Sequence, residues 1–326
     1  MPPSFTAQST ADDVLQGHHL HGQHVLLTGT SSGIGIETAR ALVAHGAHVI
    51  GTARDVAQAE KNNEVVQRAA AHSGGSFELI ELDLTSLASV RHCAAALLAR
   101  GRSLDVVIAN AGVMAAPFRL TEDGFESQMA TNYLGHFVLV NRLVPLMHDG
   151  ARVVIVASSG HRFAAVDLDD PHFLTTPYDP FVAYGRSKTA SILFAVEFDR
   201  RHRARGIRAT AVHPGAIPTA LGRHLPEGGF DRMVDATNAA RESQGKSPFI
   251  PKTIPQGAAT SVWAAVVASA DEIGGRYCEN AHVTTQVTDE ALEPGTEGVR
   301  PYAIDPQQAM ALWAASEGWV GEQFSS

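Results

Sequence analysis

The feature that most constrains this chain is a glycine-rich turn that joins an apolar run to a helical pattern. Residues 25–35 read VLLTGTSSGIG, and the helical pattern continues from Glu37. A helix that begins directly after such a turn points free N–H groups and the positive end of its dipole at a pyrophosphate. The alternative is an ordinary turn between a strand and a helix. We expect a dinucleotide to contact Gly29, Ser31, Ser32, Gly33, Ile34 and Gly35.

Composition limits the class of protein. The 326 residues are 44% hydrophobic, which is enough for a large core, and the net charge of −9 disfavours binding to nucleic acid. Cys93 and Cys278 are too few for a disulfide framework and are expected to be buried thiols. No apolar run is long enough for a membrane anchor, and no Lys or Arg precedes Arg40 as in a targeting leader. These observations predict a cytoplasmic protein.

Apolar runs and helical patterns alternate along the chain, which predicts an α/β fold. We expect a single-domain Rossmann fold, a doubly wound parallel sheet of about seven strands with helices on both faces. The predicted strands are 24–28, 47–52, 76–82, 104–109, 151–157, 206–213 and 275–278. The predicted helices are 33–45, 55–72, 86–100, 122–149, 181–204, 255–270 and 306–320.

The nucleotide-binding domain is expected to cover 23–326, after an N-terminal extension at 1–22 and with a C-terminal extension at 284–326. The N-terminal extension is interpreted as a solvated segment. Its histidines lack acidic or thiol neighbours, so no metal site is expected. Residues 218–254 form a predicted substrate lid, for which a plain surface helix is the alternative. The lid contains Leu221, Leu225, Phe230, Met233, Val234, Phe249 and Ile250.

Polar and small residues follow two further strands where each is predicted to end. Asp83 and Leu84 follow the third strand, and Asn110, Ala111 and Gly112 follow the fourth. Each group could be ordinary turn chemistry. Because ligands bind outside the carboxyl ends of such sheets, their successive positions favour a contribution to the dinucleotide site.

Tyr184 and Lys188 are four residues apart in a helical pattern, so their side chains share one face. A lysine held near a phenol lowers the pKa of the tyrosine, as general acid–base catalysis requires. Asn132 lies inside another helical stretch, where an asparagine is mildly unfavourable. That position indicates a functional role, with a buried structural amide as the alternative.

Together these motifs resemble the short-chain dehydrogenase/reductase family over residues 23–280. The resemblance rests on the glycine turn, the Asn110-Ala111-Gly112 turn, the Tyr184–Lys188 pair and the Pro214-Gly215-x3-Thr219 element. It implies a catalytic set of Asn132, Ser158, Tyr184 and Lys188, in which Ser158 is preferred to Ser159. It also implies that the Ile217 backbone and Thr219 hold the nicotinamide carboxamide and a phosphate, beside Pro214 and Gly215.

The resemblance also concerns one branch of the family and the pairing of subunits. His161, the segment 167–170 and the segment 276–280 resemble the retinol-dehydrogenase-like branch. In this family, helices corresponding to 122–149 and 181–204 commonly pair subunits, which implies a homodimer or homotetramer.

Arg54 follows the second strand at the position that selects between the two nicotinamide dinucleotides. An acidic residue there holds a free ribose hydroxyl, whereas an arginine accommodates the 2′-phosphate. The chain has Ala53 and Arg54 there, and Asp55 is assigned to capping the next helix. NADP(H) is therefore the expected cofactor, with NAD(H) possible. Thr30, Ser31 and Ser32 add no basic group, so Arg54 is expected to act largely unaided.

The expected function is NADP(H)-dependent interconversion of an alcohol with its ketone or aldehyde, on an apolar small molecule. In reduction, Tyr184 gives the proton, Ser158 orients the carbonyl, Lys188 lowers the pKa of Tyr184 and binds the nicotinamide ribose, and Asn132 holds a water. An enoyl-type reductase or an epimerase of the same fold is one alternative. A non-catalytic NADP(H)-sensing regulator is the other.

Overall fold

The computed structural model describes residues 5–288 and 295–325. Part of the predicted C-terminal extension and the first residues of the N-terminal extension lie outside the described residues. The described chain folds around one twisted sheet whose strand order is β3-β2-β1-β4-β5-β6-β7-β8. The strands are β1 His24–Thr28, β2 His48–Ala53, β3 Ser76–Glu81, β4 Leu104–Ala109, β5 Met147–Val156, β6 Arg208–His213, β7 Tyr277–Glu279 and β8 His282–Val283.

The first seven strands run parallel, which confirms the predicted doubly wound sheet. The eighth strand is an addition to the prediction: two residues that pair antiparallel with β7. The helices are α1 Ala11–Leu15, α2 Gly33–Ala44, α3 Val56–Asn62, α4 Glu64–Ser73, α5 Leu87–Arg100, α6 Ser127–Met129, α7 Gly135–Leu143, α8 Pro180–His202, α9 Gly229–Glu242, α10 Ile254–Val262, α11 Ala270–Ile273 and α12 Pro306–Val320.

Two predicted helices differ from the structure for local reasons. The helix expected over 55–72 is divided at Asn63, whose buried side-chain amide donates to the carbonyls of Thr30 and Ala59. The helix expected over 122–149 begins only at Ser127, because the Glu126 carboxylate accepts the first free N–H groups, and it ends before β5 begins at Met147. In both places a polar side chain forms hydrogen bonds with backbone groups, and a helix begins or ends there.

The core has a cluster on each face of the sheet. One lies among the sheet, α5, α7, α8 and α12, and the other among the sheet, α1, α2 and α10. Cys93 and Cys278 are both buried free thiols, as expected. None of the helices in the described part of the chain is long and apolar enough to cross a membrane.

The N-terminal extension is not simply a solvated segment, so that interpretation was wrong. Within it, α1 buries Ala11, Val14 and Leu15 in the core on the α2 and α10 side. A reciprocal capping box between Thr10 and Asp13 starts the helix. Across the described residues, no group of three or more His, Cys, Asp or Glu side chains is arranged to hold a metal ion.

The C-terminal helix α12 covers α7 and α8. Trp313 is 2% exposed, and its ring centroid lies 5.1 Å from that of Phe137 on α7 and 5.9 Å from that of Phe194 on α8. The Arg201 guanidinium stacks 4.2 Å from the Trp313 ring, and Tyr133 shares a hydrogen bond of 2.6 Å with Ser316. The helices that the resemblance assigned to subunit pairing are therefore covered within one chain.

Candidate active site

The carboxyl ends of the parallel strands border a cavity of about 700 Å³. Of the predicted site residues, only Asn132 and Ile217 lie outside its lining. Those that line it are Gly29, Ser31, Ser32, Gly33, Ile34, Gly35, Arg54, Asp83, Leu84, Asn110, Ala111, Gly112, Ser158, Tyr184, Lys188, Pro214, Gly215 and Thr219. The fold thus brings together residues that are far apart in the sequence.

The glycine turn between β1 and α2 fits a dinucleotide sterically. Gly29 has a φ of 76° and Gly33 a φ of 59°, values that favour glycine. A Cβ atom at Gly35 would overlap the carbonyl oxygen of Gly29, so this position has no room for a side chain. Ser32 caps α2 without using its hydroxyl in a capping hydrogen bond. The start of α2 therefore borders the cavity with mostly small residues, and the free N–H groups of a helix N-terminus can bind a phosphate.

Asn110 braces the turn from the neighbouring strand. Its Nδ2 donates to the carbonyl of Thr28 at 2.9 Å and of Gly29 at 3.3 Å. The Thr28 hydroxyl in turn accepts from the N–H groups of Asn110 and Ala111 at 2.9 and 3.0 Å. The side chain of Asn110 therefore helps to hold the ends of β1 and β4 together at the cavity.

The cavity also reaches Arg54 after β2 and Asp83 after β3. Arg54 lies exposed at the end of β2, and Asp55 accepts from the N–H of Gln58 at 2.9 Å, which confirms Asp55 as the cap of α3. Asp83 accepts from the N–H and the hydroxyl of Thr85 at 2.9 and 2.7 Å. Because the Asp55 carboxylate is used in capping α3, it does not pair with Arg54.

Tyr184 and Lys188 lie on α8 and are nearly buried, each 3% exposed. Nζ of Lys188 is 5.9 Å from the centre of the Tyr184 ring and donates to the carbonyl of Val156 at 2.8 Å. The side chains share one face of the helix, as their spacing predicts.

The expected lowering of the Tyr184 pKa is not observed. Burial raises the pKa of Tyr184 to about 12, and a hydrogen bond with Ser158 opposes that rise only in part. Burial also lowers the pKa of Lys188 to about 8, since an ammonium loses hydration. The reason is that removal from water disfavours both charged forms. In this structure Tyr184 is a neutral phenol at neutral pH.

Ser158 and Ser159 differ in what they face. Ser158 lines the cavity, and its Oγ accepts from the N–H of Gly160 at 3.0 Å. Ser159 is absent from that lining, and its N–H donates to Nδ1 of His213 at 3.3 Å. This geometry favours Ser158 as the serine that meets a substrate and gives His213 a structural role.

Asn132 lies in a π-helical turn, Ala130–Leu134, between α6 and α7. Such widened turns frequently occur at functional sites. Oδ1 of Asn132 accepts from the Val113 N–H at 2.8 Å, and Nδ2 donates to the Val113 carbonyl and Ser187 Oγ at 2.9 and 2.8 Å. A Cβ atom at Gly112 would lie 3.1 Å from Oδ1 of Asn132 and 3.6 Å from Nζ of Lys188. Asn132 does not line the cavity itself; it bonds to Val113 and Ser187 and lies close to Gly112.

His161 links the serine turn to the C-terminal segment. Its Nδ1 lies 2.8 Å from the Ser158 carbonyl, and its Nε2 accepts from the N–H of Arg300 at 3.1 Å. Burial lowers the pKa of His161 to about 4, so the ring is neutral with its proton on Nδ1. The sequence marked this residue only as a branch feature, because its partner Arg300 is distant in the chain.

Several lining residues were not predicted from the sequence. Those on the loop after β4 are Val113, Ala116, Pro117, Phe118 and Arg119, and Ser127 and Thr131 follow them. Arg223 and His224 come from the turn after Thr219. Of the apolar lid residues, Leu221 alone lines the cavity within the described chain, and α9 buries none of its side chains. The path of these loops depends on tertiary contacts that no local pattern encodes.

Ile217 is placed behind the cavity. A Cβ atom at Gly257 on α10 would lie 2.9 Å from Cδ1 of Ile217, which shows how closely this side chain packs against α10. Its predicted role concerns only its backbone and remains a prediction. Thr219 caps the short helical turn Ala220–Gly222.

Comparison with known proteins gives matches over nearly the whole chain. The sequence model for short chain dehydrogenase matches residues 23–228. A protein from Streptomyces lividans, described as "Probable oxidoreductase", is 44% identical over 299 residues, which cover 90% of this chain and 96% of the relative.

Two solved structures extend the comparison. An uncharacterized protein from Mycobacterium Paratuberculosis is 33% identical, with a TM-score of 0.71, and the match covers 98% of this chain and 100% of that one. The active-site complex of Pseudomonas aeruginosa RhlG with NADP is 25% identical, with a TM-score of 0.58, and the match covers 80% of this chain and 95% of that one. The sequence match spans the glycine turn, the strand ends and the Tyr184–Lys188 pair.

Proposed function

This chain belongs to the short-chain dehydrogenase/reductase family of oxidoreductases, and we propose that it interconverts an alcohol with its ketone or aldehyde using NADP(H). The observation that carries the proposal is the convergence of Ser158, Tyr184 and Lys188 on the cavity that also contains the glycine turn. Phenol, hydroxyl and ammonium border the same space as the dinucleotide site. This is the arrangement that proton transfer beside a bound nicotinamide requires.

When bound, the nicotinamide would supply or accept the hydride. In reduction, the Ser158 hydroxyl orients the substrate oxygen, and the Tyr184 phenol gives that oxygen its proton. The raised pKa of Tyr184 keeps the phenol protonated at neutral pH, which suits an acid better than a base. The Lys188 ammonium, once its neighbour carries negative charge, stabilises the phenolate that remains.

Asn132 positions this group of residues. Its side-chain amide bonds to Val113 and Ser187, and its Oδ1 lies close to Gly112. We retain the prediction that a water beside Asn132 connects Lys188 with solvent and replaces the proton that Tyr184 gives away. The assignment to the retinol-dehydrogenase-like branch and the cytoplasmic location also remain predictions.

The preference for NADP(H) over NAD(H) rests on the end of β2. Ala53 offers no carboxylate to a ribose hydroxyl, Arg54 lines the cavity, and Asp55 is occupied as a helix cap. A guanidinium matches a phosphate with parallel hydrogen bonds. The relative from Pseudomonas aeruginosa was solved with NADP, which is consistent with this preference.

The substrate is proposed to be an apolar small molecule. The loop after β4 gives Ala116, Pro117 and Phe118 to the cavity wall, and Leu221 adds a further apolar side chain, while Ser158 and Tyr184 supply polar groups. Small-molecule sites usually combine such a lining with a few polar anchors. Bulky aromatic or alicyclic ketones are therefore expected to react better than sugars or short hydroxy acids. A preference for a phosphorylated sugar would contradict this assignment.

The test is NADPH oxidation, followed by absorbance, with a panel of ketones, aldehydes and enones, together with NADP+ reduction by the corresponding alcohols. Wild type is expected to reduce carbonyls, and Tyr184→Phe to lose at least about 10²-fold in rate, the lower bound for a positioned acid. NADPH binding to Tyr184→Phe, measured by fluorescence, is expected to be nearly unchanged. Retention of more than about a tenth of the rate would remove Tyr184 from this role.

The same panel separates the alternatives. Turnover of enones alone would indicate an enoyl-type reductase, and inversion of a stereocentre without net NADPH consumption would indicate an epimerase. Tight NADPH binding without turnover of any substrate would favour the sensing regulator. The intact set of Ser158, Tyr184 and Lys188 at the cavity argues against the regulator.

A further inference from the structure

The turn that follows β6 lies directly against the glycine turn. Thr219 caps the short helical turn Ala220–Gly222, and a Cβ atom at Gly33 would lie 3.4 Å from the Cβ and Cγ2 atoms of Thr219. This contact brings Arg223, at the end of the turn, to the cavity wall. A residue from the segment assigned to the lid therefore lies at the dinucleotide site.

Arg223 and Arg54, which directly follows β2, line the same cavity and lie close enough for the charge of Arg54 to act on Arg223. The pKa of Arg223 is lowered, first by partial removal of its guanidinium from water and second by the positive charge of Arg54. His224 lines the same wall and carries a pKa lowered by burial and by Arg223. The structure thus places three basic side chains at one end of the cavity.

No carboxylate neutralises this group within the part of the chain that the structure describes. The described residues contain no ion pair of Arg54 or Arg223, and the guanidinium of Arg223 donates only to the carbonyl of Ala220 at 3.1 Å. Asp55, next to Arg54, accepts the N–H of Gln58 instead. Like charges held together without a counter-charge repel each other, so an anion bound between them gains more than it would from one arginine.

From this juxtaposition we propose that Arg54 and Arg223 form one clamp for the 2′-phosphate of NADP(H). The proposal rests on the proposed cofactor and replaces the expectation that Arg54 acts unaided. The start of α2 is the proposed site of the pyrophosphate, so the two arginines would meet the remaining phosphate. Each guanidinium offers parallel N–H donors to a phosphate that carries nearly two negative charges.

The clamp also joins two parts of the fold. Arg54 is fixed to the sheet, whereas Arg223 belongs to the segment between β6 and α9. A phosphate held by both would therefore tie this segment, which includes Leu221, to the sheet. Arg223 would thus link the binding of the 2′-phosphate to the position of the segment that carries Leu221.

The experiment measures calorimetric binding of 2′,5′-ADP and of 5′-AMP, which differ by the 2′-phosphate and lack the nicotinamide. Arg223→Ala is expected to weaken 2′,5′-ADP about ten- to a hundredfold, the range for charged hydrogen bonds. Its affinity for 5′-AMP is expected to stay within about twofold of wild type. Arg232→Ala is the matched control, since Arg232 is exposed on α9, donates to the Glu227 carbonyl and does not line the cavity.

Each outcome has a distinct meaning, and none depends on turnover. Equal weakening of both ligands would overturn the clamp, since Arg223 would then contact a part common to both. If Arg54→Ala weakens the binding of 2′,5′-ADP and Arg223→Ala does not, the clamp is overturned, but the proposed preference for NADP(H) still stands. If wild type binds 2′,5′-ADP no better than 5′-AMP, the proposed cofactor preference itself fails.

Discussion

Nζ of Lys188 donates a 2.8 Å hydrogen bond to the carbonyl oxygen of Val156, the last residue of β5. This bond ties α8, which carries Tyr184, to the strand that leads into Ser158. It also satisfies one donor of an ammonium whose pKa burial lowers to about 8, so the charge persists at neutral pH. One contact therefore fixes the relative positions of the three proposed catalytic side chains.

Ser158 and Ser159 are neighbours with different expected importance. Ser158→Ala is expected to reduce kcat/KM severely, because Ser158 lines the same cavity as Tyr184 and would orient the substrate oxygen. Ser159→Ala is expected to have a much smaller effect, since its contact with His213 uses only the backbone N–H. Steady-state kinetics with one ketone and NADPH checks both. The reverse order would show that the other serine meets the substrate.

Gly160 leaves space for the Tyr184 ring. A Cβ atom there would lie 2.5 Å from Cε1 of Tyr184, so Gly160→Ala must displace the ring. We expect turnover to fall strongly while the affinity for 2′,5′-ADP is retained. Gly318→Ala in α12 is the control, because a Cβ atom there meets nothing within 4 Å. Unchanged turnover in Gly160→Ala would contradict the requirement for this ring position.

Residues 53 and 54 are expected to control the choice of dinucleotide. Wild type should bind NADPH over NADH by a factor of about ten to over a hundred, from charged hydrogen bonds to the 2′-phosphate. Salt should reduce that preference because both partners are charged. Ala53→Asp combined with Arg54→Ala is expected to reverse it, since the carboxylate repels phosphate and accepts from a ribose hydroxyl. An unchanged ratio in Arg54→Ala would contradict the assignment.

The covered face of α7 and α8 predicts that subunits do not pair through these helices. Trp313→Ala is expected to destabilise the fold by about 3–5 kcal/mol, the usual cost of removing a buried tryptophan. It is also expected to promote self-association, since Phe137 and Phe194 lose their cover. Met310→Ala, on an exposed side of α12, should do neither. Light scattering and urea unfolding check both points, and a wild-type dimer cross-linked through α7 and α8 would contradict them.

His202 predicts a measurable dependence of stability on pH. It is 1% exposed, neither ring nitrogen has a hydrogen-bond partner among the described residues, and burial beside Arg205 and Arg201 lowers its pKa to about 4. The unfolded chain binds a proton near pH 6.5, so this histidine contributes stability above that pH that is lost as the pH falls towards 4.

Between pH 6.5 and 4.5, the free energy of unfolding is expected to fall less steeply with decreasing pH in His202→Phe than in wild type. The difference in slope should correspond to the uptake of roughly one proton on unfolding. The phenyl ring should keep the contact with Phe198, whose ring centroid lies 4.3 Å from that of His202. Urea unfolding of both proteins across this range checks the slope, and other titrating groups cancel because both proteins contain them. Parallel profiles would show that His202 does not titrate as described.

The sequence by itself determined the class of fold and most of the wall of the site. Strand and helix periodicity, the glycine turn and the residues at strand ends are local features, and the carboxyl ends of parallel strands necessarily meet at one edge. Tyr184 and Lys188 could be paired for the same reason, since four residues on a helix fix a shared face. These inferences need only short-range geometry and the handedness of the connections.

Only the tertiary structure decided which side chains meet between distant segments. Arg223 and Arg54 line one cavity because Thr219 packs against Gly33, and His161 meets Arg300 because the C-terminal segment returns to the serine turn. Burial then raised the pKa of Tyr184, whereas the spacing of Tyr184 and Lys188 had suggested that it would fall. α12 covered the helices that were expected to pair subunits. Desolvation and loop paths depend on everything that packs around a residue, and no local pattern contains that information.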